Sequence, residues 1–283
     1  VNGGVRCWGY NGGGQLGNNS TTESHFPLPA QDLSSGVTVL SAGGGHNCAI
    51  VNGGVQCWGG NGQGQLGNNS TVNSHVAVPV SGNLTDVTGV SSGVYHSCAL
   101  LGGAVQCWGN NDYGQLGTGN TNYSYVPIPA PSLTANVTAI ASGQVHSCAL
   151  INGAVKCWGE NGSGQLGNNS TTDVLTLTQV KNLTAGVSAI ACGFLHSCAI
   201  VNGAAQCWGS TAYGQLGDDL VGNGKVPVQV KDLTAGVTAL AVGRHHSCAV
   251  VDGHAYCWGS NSNGELGNNS TDDSHAPVMV QFR

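Results

Sequence analysis

Charge is the first thing this sequence lacks. Asp, Glu, Lys and Arg make up 7% of the 283 residues, against roughly 25% in an ordinary soluble domain. Seven Lys+Arg stand against thirteen Asp+Glu, a formal net charge of -6. No basic run is present to neutralise several phosphates, which excludes nucleic acid as a partner. Apolar stretches are short, none near the roughly 18 residues a membrane helix needs, so no membrane span is expected. No segment keeps an apolar period of about 3.6 residues, which excludes a helical fold. Methionine occurs once and phenylalanine three times. The chain shows no signal peptide and no initiator Met, so Val1 reads as the start of a mature chain or a fragment.

The low charge is not a mark of disorder, because 40% of the residues are hydrophobic and regularly patterned. Polarity comes from Asn, Ser, Thr and 47 Gly, residues suited to turns. "CWG" begins at Cys7, Cys57, Cys107, Cys157, Cys207 and Cys257, a spacing of 50 residues each time. His46, His96, His146, His196 and His246 keep the same period, as do Gly43, Gly93, Gly143, Gly193 and Gly243. "GQLG" starts at Gly14, Gly64, Gly114, Gly164 and Gly214, and becomes "GELG" at Gly264. Such a period points to a propeller or a solenoid.

One unit reads as four strands, labelled A to D. "VTAIAS" (Val137 to Ser142) is a short β-branched strand A, and "HSCALI" (His146 to Ile151) is strand B. Asn152-Gly153 is the two-residue signal of a type I′ hairpin turn. "AVKCWG" (Ala154 to Gly159) is strand C, and after a long polar loop "VLTLTQV" (Val174 to Val180) is strand D. Four antiparallel strands per unit make a propeller blade. The first unit opens at strand C, "VRCWG", so its A and B strands are absent and its blade is incomplete.

The hairpin turn sets the cysteine register. Cys148 faces Cys157 at a non-hydrogen-bonded position, where Cα atoms lie about 4.5 Å apart, the short edge of disulfide geometry. The same register pairs Cys48 with Cys57, Cys98 with Cys107, Cys198 with Cys207 and Cys248 with Cys257. Zinc would want cysteines two to four residues apart with a second pair close by, and no metal site is expected. Reduced cysteines acting as small hydrophobes are the alternative to disulfides. Five staples imply an oxidising compartment, and hence a secreted or cell-surface protein. Cys7 lacks a B strand to face, and Cys192, on an A strand, is the odd one out.

The combination "GxNxxGQLG…P…V" followed by "GVxAIAxGxxHSxALxNGxVxCWG" resembles the RCC1 (regulator of chromosome condensation) repeat family over essentially the whole chain. The resemblance implies an all-β fold: one propeller domain, residues 1–283, of four-stranded antiparallel blades, about six with one incomplete. Part of a seven-bladed propeller is the alternative. It also implies closure by pairing N-terminal with C-terminal strands. Family members include a nuclear exchange factor, plant photoreceptors and a secreted bacterial β-lactamase inhibitor protein, so the resemblance implies fold more firmly than function.

No catalytic constellation stands out from the repeat, and no catalytic residue, cofactor or enzymatic activity is expected. The Trp of each "CWG" is expected to pack on a neighbouring blade, the repeated His to bond backbone near its turn, and the Gln of "GQLG" to tie its loop to a neighbour. Asp218-Asp219 and Asp272-Asp273 read as solvated turn acids rather than Ca²⁺ ligands. Sequons, among them Asn18, Asn83 and Asn161, are glycosylated only if the source organism does so.

Function is expected where the units differ. Strand polarity places the A–B turn and the C–D loop on one face. The candidate binding residues there are Tyr10, Val94, Tyr95, Tyr113, Gln144, Phe194, Leu195, Tyr213, Arg244 and His245, with core filling the alternative for Phe194 and Leu195. Exposed aromatics and Arg are the usual anchors of interfaces, and the β-lactamase inhibitor of the family resembles this arrangement. The expected partner is another protein or a cell-surface component. A structural subunit of an extracellular assembly, self-associating through the open blade, is the second hypothesis. A guanine-nucleotide exchange factor-like regulator is the third, opposed by the disulfides and the lack of basic surface.

Overall fold

The computed structural model describes residues 3–82, 84–220, 222 and 224–281. Among them every regular element is a β-strand, twenty-two in all. The first sheet is β1 (Arg6–Gly9) with β2 (Ser24–Pro29). The second is β3 (Val37–Ala42), β4 (His46–Val51), β5 (Gly54–Gly59) and β6 (Ser74–Pro79). The third is β7 (Val87–Ser92), β8 (His96–Leu101), β9 (Ala104–Gly109) and β10 (Ser124–Pro129). The fourth is β11 (Val137–Ser142), β12 (His146–Ile151), β13 (Ala154–Gly159) and β14 (Val174–Gln179). The fifth is β15 (Val187–Cys192), β16 (His196–Val201), β17 (Ala204–Gly209) and β18 (Gly224–Gln229). The last is β19 (Val237–Val242), β20 (His246–Val251), β21 (His254–Gly259) and β22 (Ser274–Met279). Each sheet is an up-and-down meander in chain order. The first has two strands and the rest have four, as the missing A and B segments predict. Residue contacts group the chain into two compact units, 1–145 and 146–283.

The B–C hairpins explain the register. Asn152 (φ 51) and Gly153 (φ 78) both take the left-handed conformation a type I′ turn demands. Cys148 therefore faces Cys157, with Leu150 on Val155 and Ser147 on Trp158. The structure forms five disulfides, Cys48–Cys57, Cys98–Cys107, Cys148–Cys157, Cys198–Cys207 and Cys248–Cys257. Their Cα separations of 4.0 to 4.1 Å are slightly tighter than an unlinked pair would show. Cys7 and Cys192 are free thiols.

The core lies between successive sheets. In the first unit, Trp108 packs with Cys48, Ile50, Leu66 and Val80 of the preceding repeat. In the second, Trp258 joins Cys198, Ile200, Leu216 and Val230 in the same way. The Trp Nε1–H donates to the carbonyl of the preceding repeat's Gln, Trp58 to Gln15 at 3.0 Å and Trp208 to Gln165 at 2.9 Å. Glycine is required under four of these rings. A Cβ on Gly17 would lie 2.9 Å from the Trp58 indole, and one on Gly217 2.7 Å from Trp258.

Three sequence expectations change in detail. In three repeats the His bonds a hydroxyl of the following repeat in place of the expected backbone group. His46 Nε2 meets Ser97 Oγ at 2.7 Å, His146 meets Ser197 at 2.9 Å and His196 meets Ser247 at 3.0 Å. Each hydroxyl in turn donates to a Gln carbonyl, as Ser97 does to Gln65 at 2.9 Å, so the His donates through Nε2–H. The Gln side chain folds back on its own loop, Gln15 Oε1 accepting from Gly13 N at 2.7 Å, and only its carbonyl reaches the neighbour. Asn161 is wholly buried, its amide committed to Asn168, Ser170, Thr172 and Leu166, so it cannot carry a glycan in the folded chain. Asn83 lies outside the described residues.

Candidate binding face

In four of the four-stranded sheets the A–B turn and the C–D loop meet at one end, where the start of the loop donates its backbone N–H to a turn carbonyl: Gly60 to Gly45, Asn110 to Tyr95, Ser210 to Leu195 and Ser260 to His245, at 2.8 to 2.9 Å. The frame under these loops is the buried Asn of "GxNxxGQLG", kept in five of the six repeats. Asn61 spans its loop with donations to Asn68 Oδ1, Ser70 O and Val72 O, and accepts from Leu66 N at 3.0 Å. In the fifth repeat Thr211 replaces it, buried, and its hydroxyl has no partner.

The second unit brings four of the candidate residues together. The Arg244 guanidinium lies 4.7 Å from the centre of the Phe194 ring. Phe194 meets His245 edge-on at 5.3 Å, and His245 meets Tyr213 at 5.0 Å. Phe194 N–H donates to Arg244 O at 3.2 Å, which links two successive A–B turns. Arg244 and Tyr213 are exposed, while Phe194, Leu195 and His245 are half-buried. Desolvation, with Arg244 and His246 nearby, lowers the His245 pKa below its ordinary 6.5. The patch is thus aromatic with one permanent cation, Arg244.

In the first unit Tyr95 and Tyr113 are exposed. Val94 is half-buried and lies over Gly44, whose Cβ would come within 2.9 Å of it. Gln144 is half-buried, and Val145 beside it is core at 7% exposure. Tyr123, not singled out in the sequence, is exposed with its hydroxyl on Asp112 Oδ2 at 2.6 Å, and that bond lowers the Asp112 pKa. Burial raises the Glu160 pKa. Tyr10 stands apart beside the exposed Trp8.

The paired acids serve turns. Asp273 Oδ1 accepts from Asn261 N at 2.8 Å, and Asp219 pairs with Lys231 at 2.6 Å. His146, Cys148 and Cys192 place ligand atoms within 4.8 Å of one another. The bond from Cys148 to Cys157 removes one thiolate from that set, and burial pushes the Cys192 thiol up to about 12. The trio as it stands is a poor metal centre.

Repeated four-stranded antiparallel sheets with loops gathered at one end define a β-propeller protein. The profile of the RCC1-like domain family matches residues 1–283, and the chain belongs to that family. Human WBSCR16 is similar in structure, with a TM-score of 0.84, 26% identity, and coverage of 98% of this chain and 76% of that one. Prp20p of Saccharomyces cerevisiae follows at a TM-score of 0.72 and 20% identity, over 99% and 86% of the two chains. The ectodomain of the receptor kinase CR4 from Physcomitrella patens gives 0.50 and 21%, over 86% and 55%. The last two share the fold. No curated protein matches the sequence significantly.

Proposed function

We propose that this chain is an exported, non-catalytic RCC1-like domain that binds another protein or a cell-surface component through its A–B turns and C–D loops. The observation that carries this is the contact set of Phe194, Tyr213, Arg244 and His245. These side chains vary within a uniform repeat, and aromatic and Arg residues dominate binding hot spots. Leu195 lies beside this patch in the second unit, and Val94, Tyr95, Tyr113, Gln144 and Tyr10 are the candidate binding residues of the first unit. Export rests on the five disulfides, which persist in oxidising compartments. Structural relatives include protein binders: the yeast protein was studied for binding to Gsp1p and histones and was crystallised with Kap60.

A photo-crosslinking residue at Tyr213, in the native culture, tests the proposal. Asn202, exposed on a B–C turn at the other end of the sheet, is the control position. A discrete protein adduct at 213, absent at 202 and abolished by Phe194→Ala, is the expected result. Equal adducts at both positions, or none at 213, would overturn it.

A further inference from the structure

We infer that Cys192 is an alternative partner of Cys148, so that the chain carries a latent thiol–disulfide exchange site where its fourth and fifth sheets meet. The site does not depend on the binding face proposed above.

Cys192 ends β15 in the fifth sheet, and Cys148 lies on β12 in the fourth. Their sulfurs and a ring nitrogen of His146 lie within 4.8 Å of one another. Cys148 is already bonded to Cys157 on β13. A free thiol therefore stands against a disulfide sulfur across the contact of two sheets. The arrangement is peculiar to this repeat. By the 50-residue period, Cys48, Cys98 and Cys198 have Ser92, Ser142 and Val242 where Cys148 has Cys192. Ser197 organises the cluster. Its Oγ donates to Gln165 O at 3.1 Å and accepts from His146 Nε2–H at 2.9 Å and from the Cys192 S–H at 3.6 Å. Cys148 Sγ lies 4.0 Å from the same hydroxyl. With its hydrogen directed at Ser197, the Cys192 sulfur keeps its lone pairs for other partners.

The exchange needs no outside oxidant or reductant. Cys192 gives its proton to solvent base, and the thiolate attacks Cys148 Sγ. A Cys148–Cys192 bond forms as Cys148–Cys157 breaks, and Cys157 leaves as a thiolate that takes up a proton. One disulfide and one thiol remain. The staple moves from the B–C hairpin of the fourth sheet to a link between the fourth and fifth sheets. Burial holds the reaction off, because it raises the Cys192 pKa to about 12 and leaves little thiolate at neutral pH. No cation offsets this. Of the strands packed most closely on β15, β12 offers His146 and β16 offers His196, both kept neutral by burial. Strand β13 carries Lys156, and β19 has no ionisable side chain. Only the Ser197 hydroxyl pulls the Cys192 pKa down. The resting chain therefore keeps Cys148–Cys157.

The test holds the full chain at about pH 7, 8 and 9, quenches it in acid, alkylates it and maps the linked peptides. A Cys148–Cys192 link with alkylated Cys157 is expected. Its rate should rise about tenfold per pH unit with the thiolate fraction and stay unchanged when the chain is diluted. The other four disulfides should persist, and Cys192→Ser should abolish the new link. Cys157→Ser, treated with oxidised glutathione, reads the juxtaposition without the exchange. The freed Cys148 should link to Cys192. In Cys107→Ser the freed Cys98 has Ser142 in that place and should carry glutathione instead. No Cys148–Cys192 link in the wild-type chain at the highest pH, or equally frequent new links to Cys7, would overturn the inference. So would glutathione on Cys148 with Cys192 still free in folded Cys157→Ser.

Discussion

Asn161→Ala is the sharpest single perturbation of the loop frame. Asn161 is 0% exposed and makes four hydrogen bonds within one loop. Its Nδ2 donates to Asn168 Oδ1 at 3.1 Å, Ser170 O at 3.1 Å and Thr172 O at 3.0 Å, and its Oδ1 accepts from Leu166 N at 3.0 Å. An ordinary hydrogen bond contributes about 0.5–1.5 kcal/mol net, and a buried group left unpaired costs about 1–3 kcal/mol. Leu166 N is buried and loses its acceptor outright, while the Ser170 and Thr172 carbonyls lie near solvent and regain water. The loss is therefore set by one orphaned donor and two or three ordinary bonds, about 2–7 kcal/mol in all. Urea denaturation of the wild-type and variant chains, followed by far-UV circular dichroism with disulfides intact, measures it. A repeat array unfolds piecewise, so the early transition should move most. A loss under about 1 kcal/mol would refute the hub assignment.

Other consequences follow from the same frame. Thr211→Asn, placed where Thr211 Oγ1 has no partner, should gain about 1 kcal/mol and raise Tm in calorimetry. His46, His146 and His196 are fully buried, desolvation lowering their pKa to about 4, 3 and 3 from 6.5. Each already spends Nε2–H on a hydroxyl, and its Nδ1 has no partner to receive a second proton. The unfolded chain takes up those protons first, so stability is full above about pH 6.5 and falls as pH drops toward the folded values. The slope is about 1.4 kcal/mol per pH unit for each histidine, readable as a falling urea midpoint between pH 6.5 and 4. Intact mass should rise by about ten hydrogens on reduction, two for each of five bonds. Peptide mapping should leave Cys7 and Cys192 unlinked.

Much of this was readable from residues because it is local. A two-residue Asn-Gly turn determines which residues face each other across a hairpin, and so the cysteine pairs and the inward Trp are countable along the chain. The two-stranded first sheet is countable in the same way, from the absence of an "HSCAL" segment before "VRCWG". What was not readable depends on geometry between repeats. That His46 would find Ser97, fifty-one positions on, requires the lateral offset of two sheets, which no hairpin count supplies. The buried Asn was visible as a repeated letter in "GxNxxGQLG", yet its four-bond role needs the loop's path. Its one exception, Thr211, was the available signal. Phe194, Tyr213, Arg244 and His245 were singled out by variation, but their mutual contact is a property of packed loops.

The central claim is that this patch holds a protein partner. It is tested by the affinity of the partner crosslinked at Tyr213 for the wild-type chain and for Phe194→Ala, Arg244→Ala and Asn202→Ala, by isothermal titration calorimetry. At least one of the first two substitutions should cost about 2 kcal/mol or more, a roughly thirtyfold weaker Kd, with Asn202→Ala unchanged. Equal affinities across all four folded chains would contradict the claim.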